Sequence, residues 1–391
     1  MIGTRTVDGC VVQPRICIVG VGESDCGDVP DKSALQLHQQ AAKAALDDAG
    51  LKKDDVDGLF SCGDDWTHTL QLAEYLGLHP AYVDSTQIGG ASWELFVEHA
   101  VAALRAGLCT VALLVYGSTV RSDLRRRRLR DFIPPPHGPA QYEAPYGLTL
   151  VGKYALAARR HMHEYGTTRR QLASVAVAMN QWAQLNPKAF HHGKPLHVDD
   201  ALKTRMIADP LRQADCCLRT DGGGAVILTT AERAGDLRAK PVQVLGTGEA
   251  VSHLHMTQWS DMPDLVAATS GRKALEQAGI APRDVHVLQV YDAFTILVLL
   301  TLEALGFCGR GESGPLAESG ALAPGGALPT NTDGGGLACN QPGMRGVFLL
   351  IEATRQLRGE CGPRQIANAQ VALCNGTGGY LSACGTVVLG A

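Results

Sequence analysis

The sequence predicts an α/β protein in which one unit is used twice, and three observations carry that reading. Val285 to Gly306, VHVLQVYDAFTILVLLTLEALG, passes from a β-branched strand through Tyr291, Asp292 and Thr295 into an apolar helix. Where a strand ends and a helix begins, an open α/β sheet presents backbone N–H groups to a crevice. ALEQAGIAPRDVHVLQ (Ala274–Gln289) lies over ALDDAGLKKDDVDGLF (Ala45–Phe60) without a gap, with Ala, Leu, Ala, Gly, Asp, Val and Leu coinciding. VQVLGTGE (Val242–Glu249) echoes IVGVGE (Ile18–Glu23), so the same succession of strand, helix and strand recurs.

In chain order, RICIVGVG (Arg15–Gly22) reads as a buried strand entering a glycine turn. Ala34–Ala49 reads as an amphipathic helix stopped by Gly50, and Asp54–Phe60 leads to a second strand. His99–Ser118 ends a helix at Gly107 and enters an apolar strand, and Leu350–Gly376 does the same after Gly359. An insertion occupies 118–220. Within it the basic run Arg125 to Arg128 and the prolines Pro134 to Pro136 predict an exposed loop. Helices follow at Leu150–Tyr165, stopped by Gly166, and at Arg170–Leu185, with Thr167 or Thr168 as the N-cap. DGGGAVILTT (Asp221–Thr230) closes the first half. The halves divide as 1–240, carrying the insertion, and 241–391.

With 391 residues, 45% apolar and 19% charged, the chain can bury a large core. A formal charge of -4 gives no electrostatic support for nucleic-acid binding. No stretch supplies the roughly 18 apolar residues of a membrane span, because the best candidate, Ile296–Leu305, is short and contains Glu303. MIGTRTVDGCVVQ has no apolar signal region, so a cytoplasmic protein is expected. The twelve cysteines are scattered, and Cys17 and Cys109 sit in apolar surroundings, which fits reduced thiols. Cys216 and Cys217 are adjacent and no CxxC pair exists, so no metal site is expected from this chain alone.

GGAS followed by AALRAG, RRHMHEYGTT, DCCLRTDGGGAVILT, YDAFT followed by LEALGFCGRGESG, LPTNTDGGGL and RQLRGECGPRQ span nearly the whole chain in order. Together they resemble thiolase-like proteins of the sterol-carrier-protein, or nonspecific lipid-transfer-protein, type. The resemblance implies a thiolase fold: two βαβαβαββ halves in a five-layered αβαβα arrangement, with a homodimer as the usual assembly. It implies a coenzyme A thioester as substrate and no tightly bound cofactor. It also implies a small zinc-ribbon and OB-fold acyl-CoA-binding partner protein. The chain closes on TVVLGA, so no fused lipid-transfer domain is expected.

Fold resemblance does not fix the reaction. Thiolases attack with a cysteine thiolate held at a helix N-terminus. The matching stretch here is QIGGASWELF, the nucleophile position falls at Gly90, and Ser92 reads as the cap of a helix beginning at Trp93. The family's histidine loop matches CNQPGMRG, with Gln341 in the histidine's place and Asn340 before it; amides donate hydrogen bonds but are not bases. The family's second cysteine matches Cys374 in ALCNGTGG, either as a proton-transfer group or as a small buried residue.

Family members that lack the nucleophile include retro-aldol lyases of steroid side-chain degradation, whose YDxFT tyrosine handles the proton. Tyr291 matches it, while their second tyrosine has no counterpart in LACNQPGMRG. The expected activity is therefore retro-aldol cleavage of a β-hydroxyacyl-CoA. Tyr291 would need a depressed pKa or a relay, Asp292 would orient its proton, and Asn340, Gln341 and the backbone around Gly376, Gly378 and Gly90 would serve the thioester oxygen. Two alternatives stay open: a β-ketoacyl-CoA thiolase, or acetyl-CoA acyltransferase, working through Cys374, and a non-catalytic acyl-CoA or lipid-binding subunit. Arg125 to Arg128 read as a solvated loop, His161 and His163 face different sides of a helix, and GVGES lacks a full dinucleotide fingerprint. His253 and His255 are placed on one side of a strand without a third ligand.

Overall fold

The computed structural model describes residues 6–7, 10–11, 14–63, 65–126, 137–147, 149–262 and 264–391. Arg127, Arg128 and Pro134 to Pro136, the greater part of the expected basic and proline-rich loop, lie outside the described residues. Nine strands form one mixed sheet: β1 (Ile16–Glu23), β2 (Gly58–Phe60), β3 (Tyr82–Asp84), β4 (Val111–Ser118), β5 (Gly222–Thr230), β6 (Val242–Val251), β7 (Val287–Val290), β8 (Val371–Gly378) and β9 (Ala383–Gly390). Their spatial order is β7-β8-β9-β6-β1-β5-β4-β2-β3. The two halves join where β6 and β1 pair antiparallel, Val242 with Ile18 and Gln243 with Cys17. On each side of that seam the halves repeat one pattern: the first strand pairs antiparallel with the last, the last pairs antiparallel with the strand before it, and parallel pairing follows outward.

The duplication read from sequence is a physical repeat. Helix α1 (Ala34–Ala49) ends at Gly50 and leads through a 3-10 turn at Lys53–Asp55 into β2; the later helix Ala267–Ala278 ends at Gly279 and leads through Pro282–Asp284 into β7. Both closing glycines are left-handed, φ 74° and 68°, which favours a residue without Cβ. The echoed glycines have one job in both halves. A Cβ on Gly20 would overlap the Ala45 carbonyl oxygen, and one on Gly246 would overlap that of Ala274, the residue that aligns with Ala45. The outer helix of each half therefore lies directly on its first strand.

Further helices are α2 (His68–Leu76), α3 (Ser92–Arg105), α4 (Leu150–Tyr165), α5 (Arg169–Gln184), α6 (Ala267–Ala278), α7 (Thr295–Ala304) and α8 (Gly346–Arg358). Helix α1 covers β1, β5 and β4 from outside, and α6 covers β6 and β9. Helix α3 packs on β9, β6 and β8 of the other half as well as on β4, while α8 packs on β8 and β7 and also on β5 and β1. These two form the central layer, which gives the five-layered αβαβα order. A central helix must be apolar on most faces, and Trp93, Phe96, Val97, Val347, Phe348 and Leu350 are all fully or almost fully buried.

The second half departs from the expected βαβαβαββ order. Its third strand is reduced to one parallel bridge, Leu288 with Thr330. Pro329 has no N–H to extend a ladder, and Asn331 turns the chain at φ 51°. The Asn331 side chain replaces the missing strand, accepting from Val290 N at 2.8 Å and donating to Val290 O at 2.9 Å.

In the insertion, α4 ends at Gly166, and Thr168 caps α5 in a capping box with Gln171. Two smaller expectations need correction. Ser92 is the first residue of α3, and its hydroxyl accepts from Ile88 N at 3.0 Å, fixing the Gly89–Gly90 turn instead of capping the helix. His253 and His255 lie beyond the end of β6; His253 stacks on Trp259 at 5.3 Å. Among the described residues no helix is long and apolar enough to cross a membrane, and all described cysteines with a placed side chain are free thiols.

Gly20→Ala and Gly246→Ala should each lower stability by about 1–3 kcal/mol, because neither outer helix can retreat from its strand without opening the core. Thermal melts of the two variants should fall together if the halves are equivalent in packing.

Candidate active site

The N-termini of the central helices α3 and α8 converge at one point. Gly346 opens α8, and a Cβ on it would overlap the carbonyl oxygen of Gly90, just ahead of α3. Two positive helix ends thus meet, an arrangement that favours developing negative charge. Tyr291 reaches this point from the end of β7, its N–H held by Asn375 O at 2.9 Å.

The Tyr291 ring occupies the space in front of Gly90. A Cβ at residue 90 would overlap Cε2 and Cζ of that ring and stand 2.6 Å from Thr377 O. Any side chain at the position of the thiolase nucleophile is excluded while the tyrosine keeps this pose. The Tyr291 hydroxyl accepts from Gln341 Nε2 at 2.9 Å and lies 3.4 Å from Gly343 O, to which it donates. Burial pushes this phenol above its ordinary value, with the Gln341 bond only partly opposing the rise. The depressed pKa expected of a base is therefore absent; Tyr291 is a neutral hydroxyl.

Gln341 spends its amide on the protein. Its Nε2 also donates to Gly343 O at 3.1 Å, and its N–H donates to Thr220 Oγ1 at 3.0 Å. It orients Tyr291, in place of the donation to a thioester foreseen from sequence. Asn340 is different: Arg345 Nη1 donates to its Oδ1 at 2.5 Å, which leaves the amide nitrogen as the end able to donate. Asn340 also lines an open cavity of ≈ 570 Å³ with Cys26, Lys43 and Lys188.

Asp292 does not reach the Tyr291 hydroxyl. Its carboxyl accepts from Gly336 N at 2.7 Å and Leu337 N at 3.1 Å, and Arg345 Nε lies 3.6 Å away. Burial pushes this carboxyl up, opposed by Arg345 and the two N–H groups. Asp292 thus holds the turn that leads to Asn340 and Gln341. A side chain on Gly335 (φ 66°) would overlap it, so the glycine run before that turn is required.

Cys374 lies at the centre of β8, fully buried, with its thiol toward Leu349 O at 3.5 Å. Burial raises the thiol well above its ordinary value and Glu94 adds to the rise, so it is not a resting thiolate. Gly376 and Gly378 run in the β8–β9 ladder opposite Gly385 and Ala383, and Gly379 N is taken by Ile88 O at 3.1 Å. What the structure shows of these glycines is close approach: a Cβ on Gly378 would overlap Ile88 O, and one on Gly376 would overlap Glu94 Oε2.

Two residues of the site were not singled out from sequence. Glu94 is 1% exposed, among the described residues neither carboxyl oxygen has a hydrogen-bond partner, and it is cradled by Gly346, Gly376 and Gly385. Its signal was a lone acid one helical turn after Gly90, hence on the same face. Tyr116, near the end of β4, bonds the loop after Gln341; its signal was a Val-Tyr pair late in an apolar strand. Among the described residues no group of three or more His, Cys, Asp or Glu is placed to hold a metal ion.

Comparison with known proteins follows this geometry. Residues 248–391 match the family model described as thiolase C-terminal domain-like. Over 358 residues the chain is 35% identical to the 17-hydroxy-3-oxo-4-pregnene-20-carboxyl-CoA lyase of Mycobacterium tuberculosis, covering 88% of this chain and 92% of that one. It is 32% identical to an acetyl-CoA acetyltransferase of Methanothermobacter thermautotrophicus, covering 93% and 96%. The solved structure of the Ltp2-ChsH2(DUF35) aldolase superposes with a TM-score of 0.88 at 31% identity, covering 97% of this chain and 99% of that one.

Glu94 is held neutral in the fold by burial, its pKa raised well above the ordinary value, whereas in the unfolded chain it ionises near 4.3 (about the model-peptide value). The folded state then binds more protons than the unfolded one, so this residue lowers stability as pH rises through the range between the two pKa values, by up to about 1.4 kcal/mol per pH unit. Glu94→Gln should melt higher than the parent at pH 7 and coincide with it near pH 4. Equal melting at both pH values would show that the carboxyl is not held neutral.

Proposed function

Because the chain belongs to the thiolase superfamily, in its sterol-carrier-protein-like branch, we propose that it is an acyl-CoA carbon–carbon lyase that cleaves a β-hydroxyacyl-CoA by retro-aldol chemistry. One observation carries the reading: the Tyr291 ring fills the space that a nucleophile at residue 90 would need. Covalent acyl transfer has no starting point there, and Cys374, buried and protonated, does not supply one.

A neutral tyrosine suits the proton balance of a retro-aldol step. The reaction removes one proton from the β-hydroxyl and delivers one to the α-carbon. As the Cα–Cβ bond breaks, the Tyr291 oxygen receives the hydroxyl proton while its own proton passes to the α-carbon, and the β-carbon leaves as a carbonyl. No net charge resides on the tyrosine, so its raised pKa is no obstacle. Negative charge instead builds on the thioester oxygen. The converging N-termini of α3 and α8 and the Asn340 amide nitrogen are the groups that meet it, and one such donor is typically worth roughly 3 kcal/mol in the transition state.

The name of the mycobacterial relative places a hydroxyl at carbon 17 and the thioester on carbon 20, which is a β-hydroxyacyl-CoA on a steroid. A steroid thioester of this kind is the first substrate to test. The aldolase that superposes on this chain is a complex with a DUF35 protein, which supports a partner of that class here. A homodimer is supported by the sheet edge: β3 ends the sheet, with Val83 50%, Leu70 68% and Trp66 96% exposed around it. The free thiols agree with a cytoplasmic setting.

The test uses the chain purified with its DUF35-class partner. Tyr291→Phe should lower kcat at least about 100-fold with little change in melting temperature, consistent with a loss of general acid–base catalysis. Gly90→Cys should displace the ring, lose lyase activity and gain no acyl transfer. Full turnover by Tyr291→Phe, or an acyl group trapped on a cysteine of the parent during turnover, would overturn the assignment.

A further inference from the structure

The loop Gln341-Pro342-Gly343-Met344 is held from both halves of the molecule. From the second half, Gln341 Nε2 and the Tyr291 hydroxyl both reach Gly343 O, at 3.1 and 3.4 Å. From the first half, Tyr116 near the end of β4 donates its hydroxyl proton to Pro342 O and accepts from Met344 N at 3.1 Å. One hydroxyl therefore closes the loop by bonding on both sides of Gly343. Gly343 itself stands at φ 89°, and a Cβ there would lie 3.0 Å from the Tyr116 oxygen. The ring is fixed in turn by Trp93 of α3, 5.1 Å between centroids, and by His38 of α1, 6.2 Å.

Tyr116 ties the residues on both sides of Gly343 from the first half, while Gln341 and Tyr291 hold its carbonyl from the second. Pro342 has no N–H, and a left-handed glycine is free to swing unless its neighbours are tied. If the loop swings, Gly343 O moves, and Gln341 loses the carbonyl that aims its amide at Tyr291. We propose that Tyr116 is a positioning residue of the lyase site: by clamping Pro342 and Met344 it sets the Gln341–Tyr291 hydrogen bond, so the acid–base tyrosine of the second half is aligned by a tyrosine of the first.

This inference rests on the retro-aldol reading of Tyr291, and the experiment separates the two. Tyr116→Phe, Gln341→Ala and the double variant are assayed with the partner present, alongside Tyr291→Phe. Tyr116→Phe should lower kcat about 10-fold, the loss expected for one hydrogen bond, with KM within about 2-fold and a circular dichroism spectrum like the parent's. In the Gln341→Ala background the same change should cost less than about 2-fold, because both substitutions act on one bond. A Tyr116→Phe variant with unchanged kcat, or one that costs a full 10-fold in both backgrounds, overturns the positioning role. If Tyr291→Phe keeps full activity, the lyase reading itself fails, whatever Tyr116 does.

Discussion

The meeting of two helix N-termini at Gly90 and Gly346 is the constraint on which the rest of this molecule depends. Neither residue has a side chain, so α3 and α8 start almost in contact and bring both positive ends together. The five-layered order follows, because helices brought together at that point must each pack on the opposite half's strands. The chemistry follows as well. With residue 90 reduced to hydrogen, the Tyr291 ring enters the space, and a phenol stands where acyl transfer would need a thiolate.

That arrangement is held by a buried ionic cluster. Arg345, fully buried, donates to Asp333 at 2.5 and 2.7 Å, to Asn340 O at 2.9 Å and to Asn340 Oδ1 at 2.5 Å, with Asp292 at 3.6 Å. Removing one partner of such a cluster typically costs about 3–5 kcal/mol because it strands a charge away from water. The cluster fixes the turn that carries Asn340 and Gln341, with the Asp292 carboxyl committed to Gly336 N, Leu337 N and Arg345. Thr220, from the end of the insertion, ties the same turn through the Gln341 N–H, which places the DCCLRTDGGG motif against the site.

Beside this ionic cluster, burial pushes the Tyr291 phenol, the Glu94 carboxyl and the Cys374 thiol up, which favours their neutral forms. Glu94 is the costly member, a carboxyl inside the central layer without a hydrogen-bond partner among the described residues, and three glycines make room for it.

The sequence by itself determined the repeat, the strand-to-helix junctions and the position of Tyr291 at the end of a strand. Glycine spacing and apolar periodicity are local properties: Gly20 and Gly246, Gly50 and Gly279, and the helix stop at Gly166 were legible because each obeys a rule about its own backbone. Tyr291 was legible because it ends a strand in polar company, and the nucleophile's loss because Gly90 has no side chain to misread. Only the tertiary structure decided what those residues do. Burial raises the Tyr291 pKa, which runs opposite to a depression and leaves the other expected route, a relay. The partner of Asp292 is Arg345, 53 positions later in the chain, and Gln341 turned inward to the tyrosine instead of outward to a thioester. Tyr116 and Glu94 were passed over because their neighbours come from the other half, and no pattern within a window of sequence records which side chains two folded halves bring face to face.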